Sequence, residues 1–333
     1  MKRWAWLLSL ALLSLPGWAQ EKKDKKEKDA KKPVVAATAE DLVKEAEAKS
    51  AAGDAEGAIE TLRKAAAMEG PGGGAASLRL GRQLEERFEV DNAIDAYQAA
   101  AGKLTGAAKG EALGRLAVAQ DLRGSTEAIA SAEAASGADA AGVWPTIALA
   151  RARARQGQAD EAMALAQKAA AAGGGAAAQA ALGLAQEAKG DLGAAEAAYR
   201  EGLAADAKSA SSTLGLARVL RKTGRAAEAA PLLGKVIIDA PGAIEAYKES
   251  ARVKLALNKP QEAMGDAATA AAMAEGDADA KALVQEVTVA SSLALVAQGQ
   301  VDLAVQDLTA LRDQNPQSAV ARLGLGKALI AKR

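Results

Sequence analysis

Residues 182–203 read LGLAQEAKGDLGAAEAAYREGL, and within them two amphipathic segments meet at Gly190-Asp191. Leu182 and Ala185 lie three apart on one helical face, and Ala195, Ala198 and Tyr199 follow the i, i+3, i+4 spacing of a second helix. Gly190 suits a helix C-terminus. Asp191 suits an N-cap, or a first-turn carboxylate facing the helix dipole. Gly183 stands in the middle of the first segment, where glycine costs about 1 kcal/mol relative to alanine. That cost is understandable where a facing helix comes too close for a side chain.

The stretch recurs along the chain. Eight alanines opening the second segment of such a unit are Ala58, Ala93, Ala128, Ala162, Ala195, Ala229, Ala263 and Ala304, separated by 35, 35, 34, 33, 34, 34 and 41 residues. A period near 34 predicts a stacked helix–turn–helix array rather than a globule. Accidental spacing in an alanine-rich bundle would not hold register through seven consecutive steps. Composition agrees, since half of the 333 residues are hydrophobic but only 2% are aromatic. Each alanine buries little apolar area, so many thin helix contacts suit this chain better than one large core.

The units share a position-specific pattern. A turn glycine stands five residues before the alanine at Gly53, Gly157, Gly190, Gly224 and Gly299, is displaced by one at Gly124, and is replaced by Phe88 and Asn258 in the other two units. Four residues after the alanine comes Tyr97 or Tyr199, or a leucine at Leu62, Leu233 and Leu308. Three further on is a small residue at Ala65, Ala100, Ala135, Ala169, Gly202 and Ala270, with departures at Val236 and Leu311. Pro241 and Pro316 close two units, and Pro71 comes one residue late. Over residues 39–316 this pattern resembles the tetratricopeptide repeat, although the family's Trp near the start of helix A and Tyr near its middle are absent. The resemblance implies an all-α, right-handed α-α superhelix, a solenoid of about eight repeats. In it, helix A of each repeat lines a concave groove that holds an extended or helical segment of a partner.

Two units depart from the pattern. Leu113-Gly114 sets helix A of the third repeat off by two from Ala128. The last spacing of 41 residues, with no breaker from 279 to 297, predicts a longer helix in the eighth repeat. Residues 319–331 read as one more helix A, a cap over the apolar face of the last repeat. Its Arg322 and Lys327, with Lys332 and Arg333 beyond, suit a partly solvated surface.

The chain contains no cysteine and no histidine. Disulfides and thiol catalysis are thereby excluded, and the commonest metal ligand and general base are missing. The glycines at 72–74 and 173–175 lack the Lys-Ser/Thr and preceding strand of a phosphate loop, and are expected to be loops between repeats. Glu85 and Glu86 are helix neighbours and point about 100° apart, so they do not converge on one substrate. Asp277 and Asp279 are expected in a solvated turn rather than a cation site. No catalytic constellation emerges, and the expectation is a non-enzymatic protein with no cofactor and no metal. A formal net charge of zero and few aromatics argue against nucleic-acid binding.

Residues 1–19 read as a secretory signal peptide: Lys2 and Arg3, an apolar run of 12 residues from 4 to 15, the breaker Pro16, then small Gly17 and Ala19 before a cleavage point. A helix of that run spans about 18 Å, short of a bilayer core of about 30 Å. Cleavage leaves Gln20 first. With no cysteine there, a lipoprotein is excluded, and no later segment reads as a membrane span. Residues 20–38 read as a disordered linker. Its Lys-rich part, residues 22–32, is either a solvated spacer or a weak electrostatic contact with the envelope. Residues 39–333 form the solenoid. The expected location is the periplasm.

What the resemblance implies for the groove can be placed residue by residue. Helix A positions facing it carry Arg82 in the second repeat, Arg151 and Arg155 in the fourth, Arg218, Arg221 and Lys222 in the sixth, and Lys248 and Arg252 in the seventh. An acidic or carboxylate-bearing protein segment would suit such a surface, with arginine favoured for forked contacts. The alternative is that these are ordinary cations paired with nearby acids. The family's asparagine clamp for a terminal carboxylate is not supported, since the matching positions are Arg79, Ala148, Gly215 and Glu249. The implied function is a scaffold assisting assembly of an envelope machine for secretion, pilus, motility or outer-membrane biogenesis. The alternative is an auxiliary factor of peptidoglycan metabolism that positions a cell-wall enzyme or contacts glycan.

Overall fold

The computed structural model describes residues 37–274 and 276–333, so the expected signal peptide at 1–19 and most of the expected linker at 20–38 lie outside the described residues. Seventeen helices and no strand occur among the described residues. They pair as α1 (Ala39–Ala51) with α2 (Ala55–Ala66), α3 (Gly70–Glu86) with α4 (Val90–Lys103), α5 (Gly106–Arg123) with α6 (Ala128–Ala138), and α7 (Val143–Arg155) with α8 (Ala159–Ala171). The next pairs are α9 (Gly175–Lys189) with α10 (Leu192–Ala205), α11 (Ala210–Lys222) with α12 (Ala226–Asp239), α13 (Ile244–Ala256) with α14 (Pro260–Met273), and α15 (Ala278–Ala297) with α16 (Val301–Gln314). The terminal helix α17 (Ala319–Ala331) follows. Each helix packs on its partner and on the neighbouring pair, so the core is a succession of clusters.

The turn position behaves alike in all eight repeats. Its glycines, Gly53, Gly124, Gly157, Gly190, Gly224 and Gly299, have φ between 77° and 86°, and the two substitutes Phe88 and Asn258 are left-handed too, at 59° and 58°. Glycine takes that conformation freely and asparagine tolerates it, but a bulky aromatic does not. Asp191 caps α10 by accepting the Ala194 backbone N–H at 2.9 Å.

Seven of the eight register alanines are 1% exposed or less. Ala128 is the exception: it starts the short α6, is only half-buried, and passes the contact to Ala132 and Ala135. Where an aromatic follows, small residues receive it. Tyr97 packs on Gly81, and Tyr199 packs on Gly183 of its own repeat and Gly215 of the next. In the third repeat Gly114 lies against the backbone of Trp144, which lets α5 approach α7 closely.

The run from 279 to 297 is one long helix, α15, of 20 residues. Its length and composition would suffice to cross a bilayer, yet Leu283, Val287 and Val289 are buried within the array. The cap α17 buries Ala321, Leu325 and Ala328 and leaves Leu323 and Ile330 exposed.

One expectation is corrected. The glycines at 72–74 are not a loop: α3 begins at Gly70 and runs through them. Gly74 sits so close to Lys103 and Leu104 that a β-carbon there would fall 2.9 Å from each side chain. Gly173 and Gly174 do lie in the break between α8 and α9, whereas Gly175 is the first residue of α9.

Candidate partner-binding groove

The helices α3, α5, α7, α9, α11, α13 and α15 place charged side chains one repeat apart against each other. Glu47 of α1 pairs with Arg79 of α3. Arg82 and Glu85 of α3 meet Glu111 at 2.5 Å and Arg115 at 2.9 Å on α5. Asp121 of α5 takes Arg151 and, at 2.9 Å, Arg155 from α7. Glu187 of α9 holds Arg218 at 2.9 Å and Lys222 at 3.0 Å from α11. Arg221 reaches Glu249 of α13 at 2.5 Å. Lys248 and Arg252 of α13 meet Asp277 at 3.0 Å and Asp279 at 2.6 Å.

Every one of the eight cations expected in the groove is therefore engaged by an acid. Six of them, Arg151, Arg155, Arg218, Arg221, Lys248 and Arg252, converge on a single cavity of about 380 Å³. Asp121, Glu245, Glu249, Asp277 and Asp279 share its wall, so six cations face five acids. Arg82 lines a second cavity of about 750 Å³, together with Phe88, Arg115 and Trp144. The guanidinium of Arg115 lies 3.8 Å over the Trp144 ring, a cation–π geometry. Lys222 lines neither cavity and is more exposed, beside Glu187.

The acids were not among the expected site residues. Asp121, Glu187, Glu249, Asp277 and Asp279 lie 27 to 35 residues from their cations, about one repeat. The period in the sequence was the signal that could have found them. Asp277 caps α15 and is half-buried, Asp279 stands exposed in the first turn of that helix, and both carboxylates receive Lys248.

Electrostatics follow the pairing. Burial pushes the Asp121 carboxyl up, but Arg151 and Arg155 outweigh it and hold it at about 2. Burial likewise pushes the Glu187 carboxyl up, but Arg218 outweighs it and holds Glu187 below the usual carboxylate range. Glu187 is only 3% exposed. Arg218 Nε donates to both its oxygens, at 3.0 and 2.9 Å, and the Tyr199 hydroxyl donates to it at 2.7 Å. Arg151 is also buried, and its Nε has no hydrogen-bond partner. No group of three or more acids arranged to hold a metal occurs among the described residues.

The described residues thus form an array of helix pairs whose charged side chains meet from one repeat to the next. The tetratricopeptide repeat model matches residues 43–112 and 289–333. Those two segments carry tetratricopeptide repeats, and further helix pairs fill the span between them. Among solved structures, a chain of the APC/C hetero-tetramer Cut9–Hcn1 is similar with a TM-score of 0.59 at 14% identity, over 93% of this chain and 60% of that one. This likeness shows the fold. A tetratricopeptide repeat protein from Parabacteroides merdae is similar at 17% identity and a TM-score of 0.40, over 77% of this chain and 98% of that one. YrrB, described as a TPR protein with an unusual peptide-binding site, is 19% identical with a TM-score of 0.41, over 57% of this chain and 95% of its own. No curated protein matches the sequence.

Proposed function

We propose that this protein is a non-enzymatic scaffold of the bacterial cell envelope that binds a carboxylate-bearing segment of a protein partner inside its superhelix. Tetratricopeptide repeats generally mediate protein–protein interaction, and that is the function of the fold here. The observation that carries the finer reading is the convergence of six cations from three helices on one cavity, one of them with an unpartnered buried Nε. An incoming carboxylate would be received by exchange with the acids that now hold the guanidiniums. Exchange of this kind gives selectivity rather than great affinity, because the cavity wall is close to neutral. The signal segment at residues 1–19 supports export to the periplasm, where the partner would belong to an envelope assembly.

Fluorescence anisotropy with a labelled hexaglutamate peptide, and hexalysine as control, tests the groove. Hexaglutamate should bind, and salt should weaken it. Arg155→Gln combined with Arg252→Gln should reduce binding and leave helicity unchanged. Arg151 and Arg218 are unsuitable for this test, because their own guanidiniums are the more deeply buried; Arg155 is more exposed, and Arg151 still holds Asp121 when it is removed. Salt-insensitive binding, or binding equal to that of hexalysine, would sink the reading. For export, N-terminal sequencing of protein released by osmotic shock should begin at Gln20.

A second reading, a peptidoglycan-associated factor, draws on the seven lysines among residues 21–33. Sedimentation with purified peptidoglycan that disappears on deleting residues 21–33 would favour it.

A further inference from the structure

Phe88 is the sole phenylalanine of the chain, and it occupies a turn where six of the other seven repeats have glycine. Its backbone is left-handed, at φ 59°, a conformation that a bulky residue keeps only when its surroundings over-determine it. Its own repeat holds the backbone of the turn, where the Phe88 N–H donates to the Glu85 carbonyl and the Glu89 N–H to the Leu84 carbonyl, but the side chain reaches beyond that repeat. The Phe88 side chain packs against the core cluster built by the fifth to seventh repeats, beside Ala210 and Thr213 of α11 and Val236 and Ala240 at the end of α12. The space left around it is about 20 Å³, room for about one water.

The seam continues on both sides of this contact. A β-carbon on Gly242 would stand 3.7 Å from the Val90 β-carbon. Leu122 of α5 packs on both the N-terminal and the central clusters. Gly124 abuts the Glu245 carboxylate, and α5 touches α13. A solenoid whose repeats met only their neighbours would show none of these contacts.

We infer that Phe88 is an intramolecular latch that ties the second repeat to the sixth and closes the superhelix across its groove. A segment long enough to run along the inner face enters only after the latch is released, so the array has an open and a closed state. The inference stands on the contacts of Phe88 and does not depend on which partner the groove takes.

The absence of cysteine makes the test direct. Val90→Cys with Gly242→Cys places the two β-carbons inside the range for a disulfide, about 3.5–4.5 Å. Mild oxidation of the folded double variant should give an intramolecular crosslink, seen as a mobility shift on a non-reducing gel. Opening is read separately with Val90→Cys alone, by its alkylation rate. Adding Phe88→Gly should raise that rate about tenfold, because an apolar contact is lost and the open population grows accordingly. Phe88→Asn, the residue used at position 258, should do the same. Both variants relax the turn, so circular dichroism should show full helicity. Failure of the double variant to crosslink while folded, or alkylation unchanged by both Phe88 variants, would overturn the latch.

Discussion

A β-carbon on Gly183 would lie 2.6 Å from Cε1 of Tyr199, and the same ring also rests on Gly215 of the next repeat. One aromatic side chain thus sets the spacing of two successive inner helices. Gly183→Ala gains helix propensity of up to about 1 kcal/mol but forces the ring to move, and overpacking costs about 1–3 kcal/mol. Net destabilisation is expected, larger for Gly215→Ala. A β-carbon on Gly234 of α12 would meet nothing within 4 Å, so Gly234→Ala should stabilise. Urea unfolding of the three variants should show opposite signs, and a uniform sign would refute the packing argument.

Ala195 and Ala128 occupy the same register but not the same environment. Ala195 is fully buried, whereas Ala128 is half-buried at the start of α6. Ala195→Leu is expected to cost about 1–3 kcal/mol. Ala128→Leu should shift the midpoint far less. Equal losses in thermal melts would mean that the third repeat is packed like the fifth.

Glu187 anchors Arg218, Lys222 and the Tyr199 hydroxyl. Its removal leaves a largely buried guanidinium without a counter-charge, a loss of about 3–5 kcal/mol for Glu187→Ala. Glu187→Gln keeps an acceptor for Tyr199 and should lose less. Chemical denaturation orders the two; a Glu187→Ala midpoint equal to that of the wild type would show the pair to be of no consequence.

Acid should weaken the array through the same carboxylates. Asp121 is held at about 2 against burial, and burial likewise fails to stop Glu111, Glu187, Asp277 and Asp279 from falling below their usual range. A carboxylate depressed in the folded state contributes its full stability above the unfolded value, about 4. That contribution is lost as pH falls toward the folded value. The melting temperature should be flat from neutral pH to about 5 and drop between about 4 and 2. Asp121→Asn should flatten part of that drop. A melting temperature that rises on acidification would contradict the sign.

The sequence by itself determined the repeat, its register and its turns. Those features are local: apolar spacing picks the helix face, and a left-handed turn residue recurs because each helix pair must reverse direction within a few residues. Phe88 and Asn258 were legible as departures for the same reason. The eight helix A cations were legible too, because the repeat pattern numbers the face of helix A. Tertiary structure decided what those cations do. Asp121, Glu187 and Glu249 neutralise them from about a repeat away, across contacts that no local window contains. It also decided that Phe88 meets Val236, more than a hundred residues on. The small rotation from one repeat to the next is set by packing details such as Tyr199 between Gly183 and Gly215, and only the accumulated sum of those rotations brings the second repeat back to the sixth.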